Sequence, residues 1–323
     1  MQLRRTARAI VEAALILPGA LVMVTLPRPV ILYLSRVAGA LVYRFAHGLR
    51  RVGEANLNLV FGDTVSRAQR EAWLRESFQT FARTMLDLVW FRLRTRSRLR
   101  RWVETDDSLD VLDRGPVIIV TAHFGNWELI SLLSGLRGHR CLSVAASTFN
   151  PVINYVLRKL RMGSGSDTVP RRGALRALIR RVREGGNIGM VADQNVLPRD
   201  GGIFQPIFGV PALVTKAPAT LSTRCNLAVV PVFCRPLPDG RYCMYASDPV
   251  LPGSDQDAMT RKIGLLLERE IRHYPGFWLW SYKRWHYRLP DHDAGCFPFY
   301  TRELQPNQMA GAGNTVHPGR ATG

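Results

Sequence analysis

No Cys-x-x-Cys pair occurs among the five cysteines (Cys141, Cys225, Cys234, Cys243, Cys296). An odd, scattered set of thiols builds neither a disulfide framework nor a zinc cluster, so a reducing compartment and a site without metal or cofactor are expected. A Gly-x-Ser-x-Gly elbow is also missing, which removes a serine acyl-enzyme, and no internal repeat divides the chain. Lysine is scarce: Lys159, Lys216, Lys262 and Lys283 are the only four among 44 cationic side chains, set against 25 acidic ones. The resulting net charge of +19 asks for an anionic partner such as nucleic acid, a membrane surface, an acidic protein or a phosphorylated substrate.

The chain has 323 residues, 46% of them apolar, ample for a sizeable core. Residues 9 to 26, "AIVEAALILPGALVMVTL", form an apolar run of spanning length. It is followed by "PRP" and a second run, "VILYLSRVAGALVYRFA". "VTLPRP" is a poor cleavage site, so the first run reads as a retained anchor rather than a signal peptide. Arg4, Arg5 and Arg8 precede it and Arg28, Arg36 and Arg44 follow. That tie leaves spanning, interfacial and re-entrant insertion open, with a buried core helix pair as the plainer alternative.

Four segments are expected. Residues 1–48 form the membrane-associated helical segment. Residues 49–102 form a helical segment in which Phe78, Phe81, Met85 and Leu88 gather on one face. This segment ends in the arginine-rich "RLRTRSRLRR", either a solvated linker or a contact for headgroups. Residues 103–295 alternate short β-rich and helical runs, the pattern of an α/β domain: strands at "PVIIVTAH", "CLSVAAS", "DTVPR", "NIGMVAD", "LAVVPVFCR" and "RYCMYASD", with helices between and a last one over 257–273. Residues 296–323, rich in Gly, Pro and Asn, are expected to be disordered.

The chemistry gathers at "HFGNWE", residues 123–128, where a strand gives way to a helix. On one continuous helix, side chains five apart would diverge by about 140°, so His123 must precede the helix. With Asn126 as N-cap, Glu128 in the first turn is placed to fold back and accept the imidazole Nδ1–H, leaving Nε2 as a base. The competing reading is an ordinary carboxylate complementing the helix dipole beside an unrelated histidine.

Here the sequence resembles the bacterial lipid A biosynthesis acyltransferases (late lauroyl/myristoyl transferases) within the lysophospholipid acyltransferase group. "HFGNWE" has the family's form of histidine, four residues and an acid. "RRVGEANLNLVFGD", "VPRRGALRALIRRVREGGNIGMVADQ", "FQPIFGVPALVTKAPATLS" and "YPGFWLWSYKRWHYRLP" are similar to further family blocks in the same order. The resemblance implies a mixed central sheet flanked by helices, like that of glycerolipid acyltransferases. It also implies transfer of a fatty acyl chain from acyl carrier protein to a lipid hydroxyl, usually that of a 3-hydroxyacyl chain on a glucosamine disaccharide. Acyl-CoA is the alternative donor.

His123 and Glu128 then become the catalytic pair, and the resemblance carries a functional arginine onto Arg161, with Arg158 one turn earlier. Asp193 and Gln194, at a strand end, are candidates for the border of the same cleft. Asn126 and its neighbour Trp127 offer backbone amides to an oxyanion. Where relatives carry an arginine before Asn-Pro this chain reads "ASTFNP", and Arg171 and Arg172 are the compensating candidates for an acceptor phosphate. Trp280 of "FWLWSYKRW" leans to core rather than to a lipid-facing belt. The expected partners are an acyl donor, a phosphorylated glycolipid or other lipid, and an anionic membrane surface, not nucleic acid. The expected place is the inner membrane, with the site on the cytoplasmic side. Rivals are acylation of a lysophospholipid, aminolipid or mannolipid, an inactive lipid-binding relative, and a membrane-attached nucleic-acid-binding protein.

Overall fold

A computed structural model describes residues 19–145, 161, 166–170 and 173–309. Seven strands form the central sheet in the order β1 (Val103–Thr105), β9 (Tyr242–Ala246), β8 (Val229–Pro236), β2 (Ile118–Thr121), β5 (Asn187–Val191), β3 (Cys141–Ala145) and β4 (Ser166–Pro170). Every neighbouring pair is parallel except β8 with β9, so the sheet is mixed, as expected. Strand β2, "IIVT", is buried at every position, the composition of a central parallel strand covered on both faces. Ile118 and Val120 face a core completed by helices α6 (Ala174–Arg183), α7 (Ala217–Cys225) and α8 (Gln256–His273). Ile119 faces the opposite core with Leu129 and Ile130 of α5 (Glu128–Leu136).

One hairpin went unread in the sequence. Strands β6 (Gly202–Ile207) and β7 (Val210–Thr215) pair antiparallel across a two-residue turn. Phe208 (φ 53°) and Gly209 (φ 81°) both take left-handed backbone there, as a hairpin turn that follows the strand twist requires. Pro206 opposite Pro211 disguised the strands, since proline normally demotes a β reading.

The N-terminal half is helical: α1 (Arg28–Phe45), α2 (His47–Phe61) and α3 (Arg67–Trp90). The side chain of Ser66 caps α3 by accepting from the Gln69 amide at 3.2 Å. Helix α1 packs on α3 so closely that a Cβ on Gly39 would lie 2.5 Å from the Gln79 Cα. Its other face is bare, with Tyr33 65% and Phe45 68% exposed. No single described helix is long and apolar enough to cross a membrane, but α1 and the segment 47–64 qualify together as a pair bent by 90°. Residues 9–18 of the first apolar run lie outside the described residues.

The arginine-rich stretch forms a helix, α4 (Thr95–Trp102), rather than a linker. Leu99 is buried, and Arg98 donates to the Val24 carbonyl at 2.7 Å while its guanidinium lies 3.9 Å from the Trp90 ring centre. The packed chain also runs further toward the C-terminus than composition suggested. Tyr300 and Leu304 are buried, and β11 (Arg302–Glu303) pairs with β10 (Tyr287–Arg288) before a last turn, α9 (Pro306–Met309). Trp280 and Trp285 are fully buried core, as expected for the first of them.

Beneath the strand ends lies a buried ion pair. Arg28 of α1 grips Asp87 of α3 through both carboxylate oxygens, Nη2 to Oδ2 at 3.1 Å, and also donates to the Gly240 carbonyl at 3.2 Å. Asp87 Oδ2 further accepts from the Tyr242 hydroxyl at 2.6 Å. Removing Arg28 leaves the buried Asp87 carboxylate with Arg83 as its nearest cation, at the limiting distance of 4.0 Å. Arg28→Met should therefore lower folding stability by about 3–5 kcal/mol, seen as a lower urea midpoint, whereas an unchanged midpoint would show that solvent reaches Asp87.

Candidate functional site

Parallel register assembles the site. Thr121 of β2 pairs with Val191 of β5, and the Ala192 amide donates to the Thr121 carbonyl at 2.8 Å. Two residues beyond each partner stand His123 and Asp193, side by side at the carboxyl ends of adjacent strands. Asp193 Oδ1 lies 2.7 Å from His123 Nδ1, and its Oδ2 accepts from the His123 amide at 2.9 Å and from Trp278 Nε1 at 2.8 Å. A carboxylate only accepts, so Nδ1 carries the ring proton and Nε2 is left with its lone pair. Gln194 Nε2 lies 3.4 Å from that nitrogen.

This corrects the expected partner of His123. Its Nδ1 is held by Asp193, expected only at the border of the cleft, and not by Glu128. Glu128, 7% exposed at its side chain, instead binds Arg161 through two parallel hydrogen bonds: Nε to Oε2 at 2.9 Å and Nη2 to Oε1 at 2.7 Å. A helix beginning at Glu128 points its first-turn carboxylate along the cleft, while the strand next door offers one already level with the imidazole.

Asn126 is the second correction. Helix α5 carries no side-chain N-cap; the Asn126 amide donates to the Cys234 carbonyl at 2.7 Å and its side chain to Asp87 Oδ2 at 3.3 Å. It is fully buried, so it anchors the loop to the Arg28–Asp87 pair and faces no substrate. The loop's close approach to β8 also explains Gly125: φ is 54°, and a Cβ would sit 2.1 Å from the Cys234 carbonyl oxygen. From the other side the closing aromatic segment zips on, with Gly125 N donating to the Phe277 carbonyl at 2.9 Å and Leu279 N to the His123 carbonyl at 3.1 Å. Of the remaining expected site residues, Arg158, Arg171 and Arg172 lie outside the described residues.

His123, Glu128, Arg161 and Gln194 line one cleft of about 590 Å³, whose walls continue into apolar side chains including Ile130, Leu178, Met190 and Leu221. A few convergent polar groups at the end of an apolar cleft suit a ligand with a long apolar part and a reactive polar end. Burial pulls the His123 pKa down, but the charge and hydrogen bond of Asp193, aided by Glu128, outweigh it and hold the imidazole above its ordinary 6.5, against opposition from Arg161. Asp193 is buried too, which favours its neutral form; His123 and the Trp278 N–H reverse this and hold its carboxyl below the usual range. Among the described residues, no group of three or more His, Cys, Asp or Glu side chains is placed to hold a metal.

An imidazole must be neutral to accept a proton, so with His123 as the base activity should fall as pH drops through an inflection above 6.5. Asp193→Asn removes the charge that raises this pKa and leaves burial in place. Its inflection should move to lower pH while kcat falls by about 10² to 10⁴, because the amide no longer fixes the tautomer. A pH profile of kcat/KM checks both; an unmoved inflection in the variant would detach Asp193 from His123.

A model of the family described as bacterial lipid A biosynthesis acyltransferase matches residues 2–287. The chain is 26% identical over 276 residues to the lipid A biosynthesis palmitoleoyltransferase of Escherichia coli (strain K12), covering 81% of this chain and 86% of that one. The figures are the same for a lipid A biosynthesis acyltransferase of Shigella flexneri. Among solved structures, the 1-acyl-sn-glycerophosphate (LPA) acyltransferase of Thermotoga maritima aligns over 78% of this chain and 99% of its own, with a TM-score of 0.38 and 17% identity. With the family's pattern running from the N-terminal helices to the end of the closing aromatic segment, this chain belongs to the bacterial lipid A biosynthesis acyltransferases.

Proposed function

We propose that this acyltransferase moves a fatty acyl chain from a thioester, carried by acyl carrier protein or CoA, to a hydroxyl on a 3-hydroxyacyl chain of a lipid A precursor. One observation carries the reading: an imidazole whose Nδ1–H is fixed on a buried carboxylate at 2.7 Å and whose Nε2 opens on a largely apolar cleft. In the proposed reaction Nε2 takes the proton of the acceptor hydroxyl as its oxygen attacks the thioester carbonyl. Collapse of the tetrahedral intermediate breaks the C–S bond, and the imidazolium returns its proton to the departing thiolate. Asp193 stabilises the imidazolium without becoming protonated.

The negative charge on the thioester oxygen needs a donor. The Asn126 amide, one of the two expected, is spent on the Cys234 carbonyl; beside the Trp127 amide, the guanidinium of Arg161 supplies a charged donor for that role, with an acceptor phosphate as the other anion it suits. Glu128 then acts by aiming Arg161 rather than by touching substrate. The membrane fits as the place of action: the bare face of α1, the net charge of +19 and the lipidic acceptor all favour an anionic interface, taken here as the cytoplasmic side of the inner membrane.

His123→Ala should abolish transfer without unfolding the chain. Glu128→Ala, Arg161→Ala and the double variant should lose similar activity, since groups acting as one unit do not add. An effect confined to kcat marks the oxyanion role of Arg161, and a raised KM for the lipid acceptor marks the phosphate role. Mass spectrometry of lipids from cells with and without the gene identifies acceptor and chain together; lipid A lacking no acyl chain in the deletion would point to another lipid acceptor.

A further inference from the structure

A second groove opens beside the catalytic cleft, between the α1–α2 bend and the closing aromatic segment. It encloses about 700 Å³ and is lined by Arg51 of α2, by Tyr282, Lys283 and His286, and by Phe299. Its cations lack carboxylate counter-ions among the described residues. Among the described residues no carboxylate forms an ion pair with Arg51, Lys283 or the neighbouring Arg302, although Arg50 one position away pairs with Glu54. Arg51 instead lies over the Phe299 ring at 4.3 Å. The field is positive enough that burial, Lys283 and Arg302 together hold the His286 imidazole below its usual pKa.

The walls are fixed. Asn56 of α2 donates to the carbonyls of Trp280 and Tyr282 at 2.7 and 2.8 Å, tying the helix to the closing segment. The Tyr282 hydroxyl, in turn, accepts from the Asn195 amide at 3.0 Å, and Asn195 lines the catalytic cleft. The groove thus opens at the same edge of the sheet as His123, with Tyr282 and Asn195 as the partition. Around its mouth the chain exposes Phe45 (68%), Leu49 (47%) and Phe299 (56%), continuous with the bare face of α1. Water-facing aromatics encircling unpaired cations match the layered chemistry of a lipid interface: anionic phosphate outside, hydrocarbon beneath.

We propose that this groove binds the phosphate of an anionic membrane lipid, with Arg51 and Lys283 on the headgroup and Phe45, Leu49 and Phe299 among the acyl chains, and so sets the catalytic cleft against the bilayer. This rests on the lipid-interface reading of the chain and on none of its acyl chemistry, so a binding experiment separates the two. Full-length protein is sedimented with phosphatidylcholine vesicles with and without phosphatidic acid. Each cation near an anionic surface contributes a factor of about five, so Arg51→Gln/Lys283→Gln should bind phosphatidic acid vesicles roughly tenfold or more weakly.

The control removes the same charge elsewhere. Arg180→Gln/Arg183→Gln lies near the C-terminus of α6, where the chain leads into β5 at the opposite end of the sheet, and should bind nearly as wild type does. Equal loss in both variants would reduce the effect to net charge, and no loss in the groove variant would place the lipid contact elsewhere. Displacement of wild type by inorganic phosphate, beyond that by chloride at matched ionic strength, would make the groove a small-anion site; each of these three results overturns the proposal. Both variants should keep the wild-type circular dichroism spectrum, since Arg51, Arg180, Arg183 and Lys283 are all exposed.

Discussion

A single buried charge organises the edge of the sheet that carries His123. Asp193 sits under the strand ends, and the charge of His123 with three N–H groups, two from His123 and one from Trp278, hold its carboxyl below the usual range against burial. An unpaired carboxylate there would cost several kcal/mol, so the register of β2 against β5 and the docking of the aromatic segment answer one electrostatic demand. That segment is held from behind by the N-terminal helices, Ser77 donating to the Trp278 carbonyl and Asn56 to that of Trp280. The orientation of one imidazole is thereby linked to helices far from it in sequence.

Three carboxylates with distinct duties follow the same rule. Asp193 serves the imidazole, Glu128 serves Arg161, and Asp87 is shared by Arg28, Tyr242 and Asn126. In a chain short of acidic residues, these are placed where a cation or a ring N–H must be held in one direction. The cleft therefore combines rigidly held polar groups with a wall that is largely apolar.

The sequence made much of this legible. Short β-rich runs alternating with helices announced the sheet, and "HFGNWE" announced a histidine between a strand and a helix. What it concealed was adjacency between strands. His123 pairs with Asp193 across 70 residues, a relation fixed by β2 and β5 lying next to one another, which no spacing within one motif expresses. A signal existed nonetheless: "PVIIVTAH" and "NIGMVAD" are two buried strands that each end, past the last apolar residue, in a polar side chain fit for proton chemistry. Glu128, being nearer in sequence, drew the assignment that belonged to Asp193. The β6–β7 hairpin was hidden for another reason, its two facing prolines imitating a loop.

The zipping of residues 277–279 onto the His123 loop also bears on when the enzyme comes into being during synthesis. The loop's contacts arrive in chain order: Asp87 first, Asp193 after another hundred residues or so, the Cys234 carbonyl next, and the Phe277, Trp278 and Leu279 contacts last. At roughly 5–20 residues per second on the ribosome, the histidine is made many seconds before the segment that sets it. A nascent chain ending short of Trp278 carries His123 on a loop without its Leu279 contact, beside a carboxylate lacking one of its three donors. The setting of the His123 loop in this fold is thus a property of a nearly complete polypeptide rather than of the segment that carries the histidine.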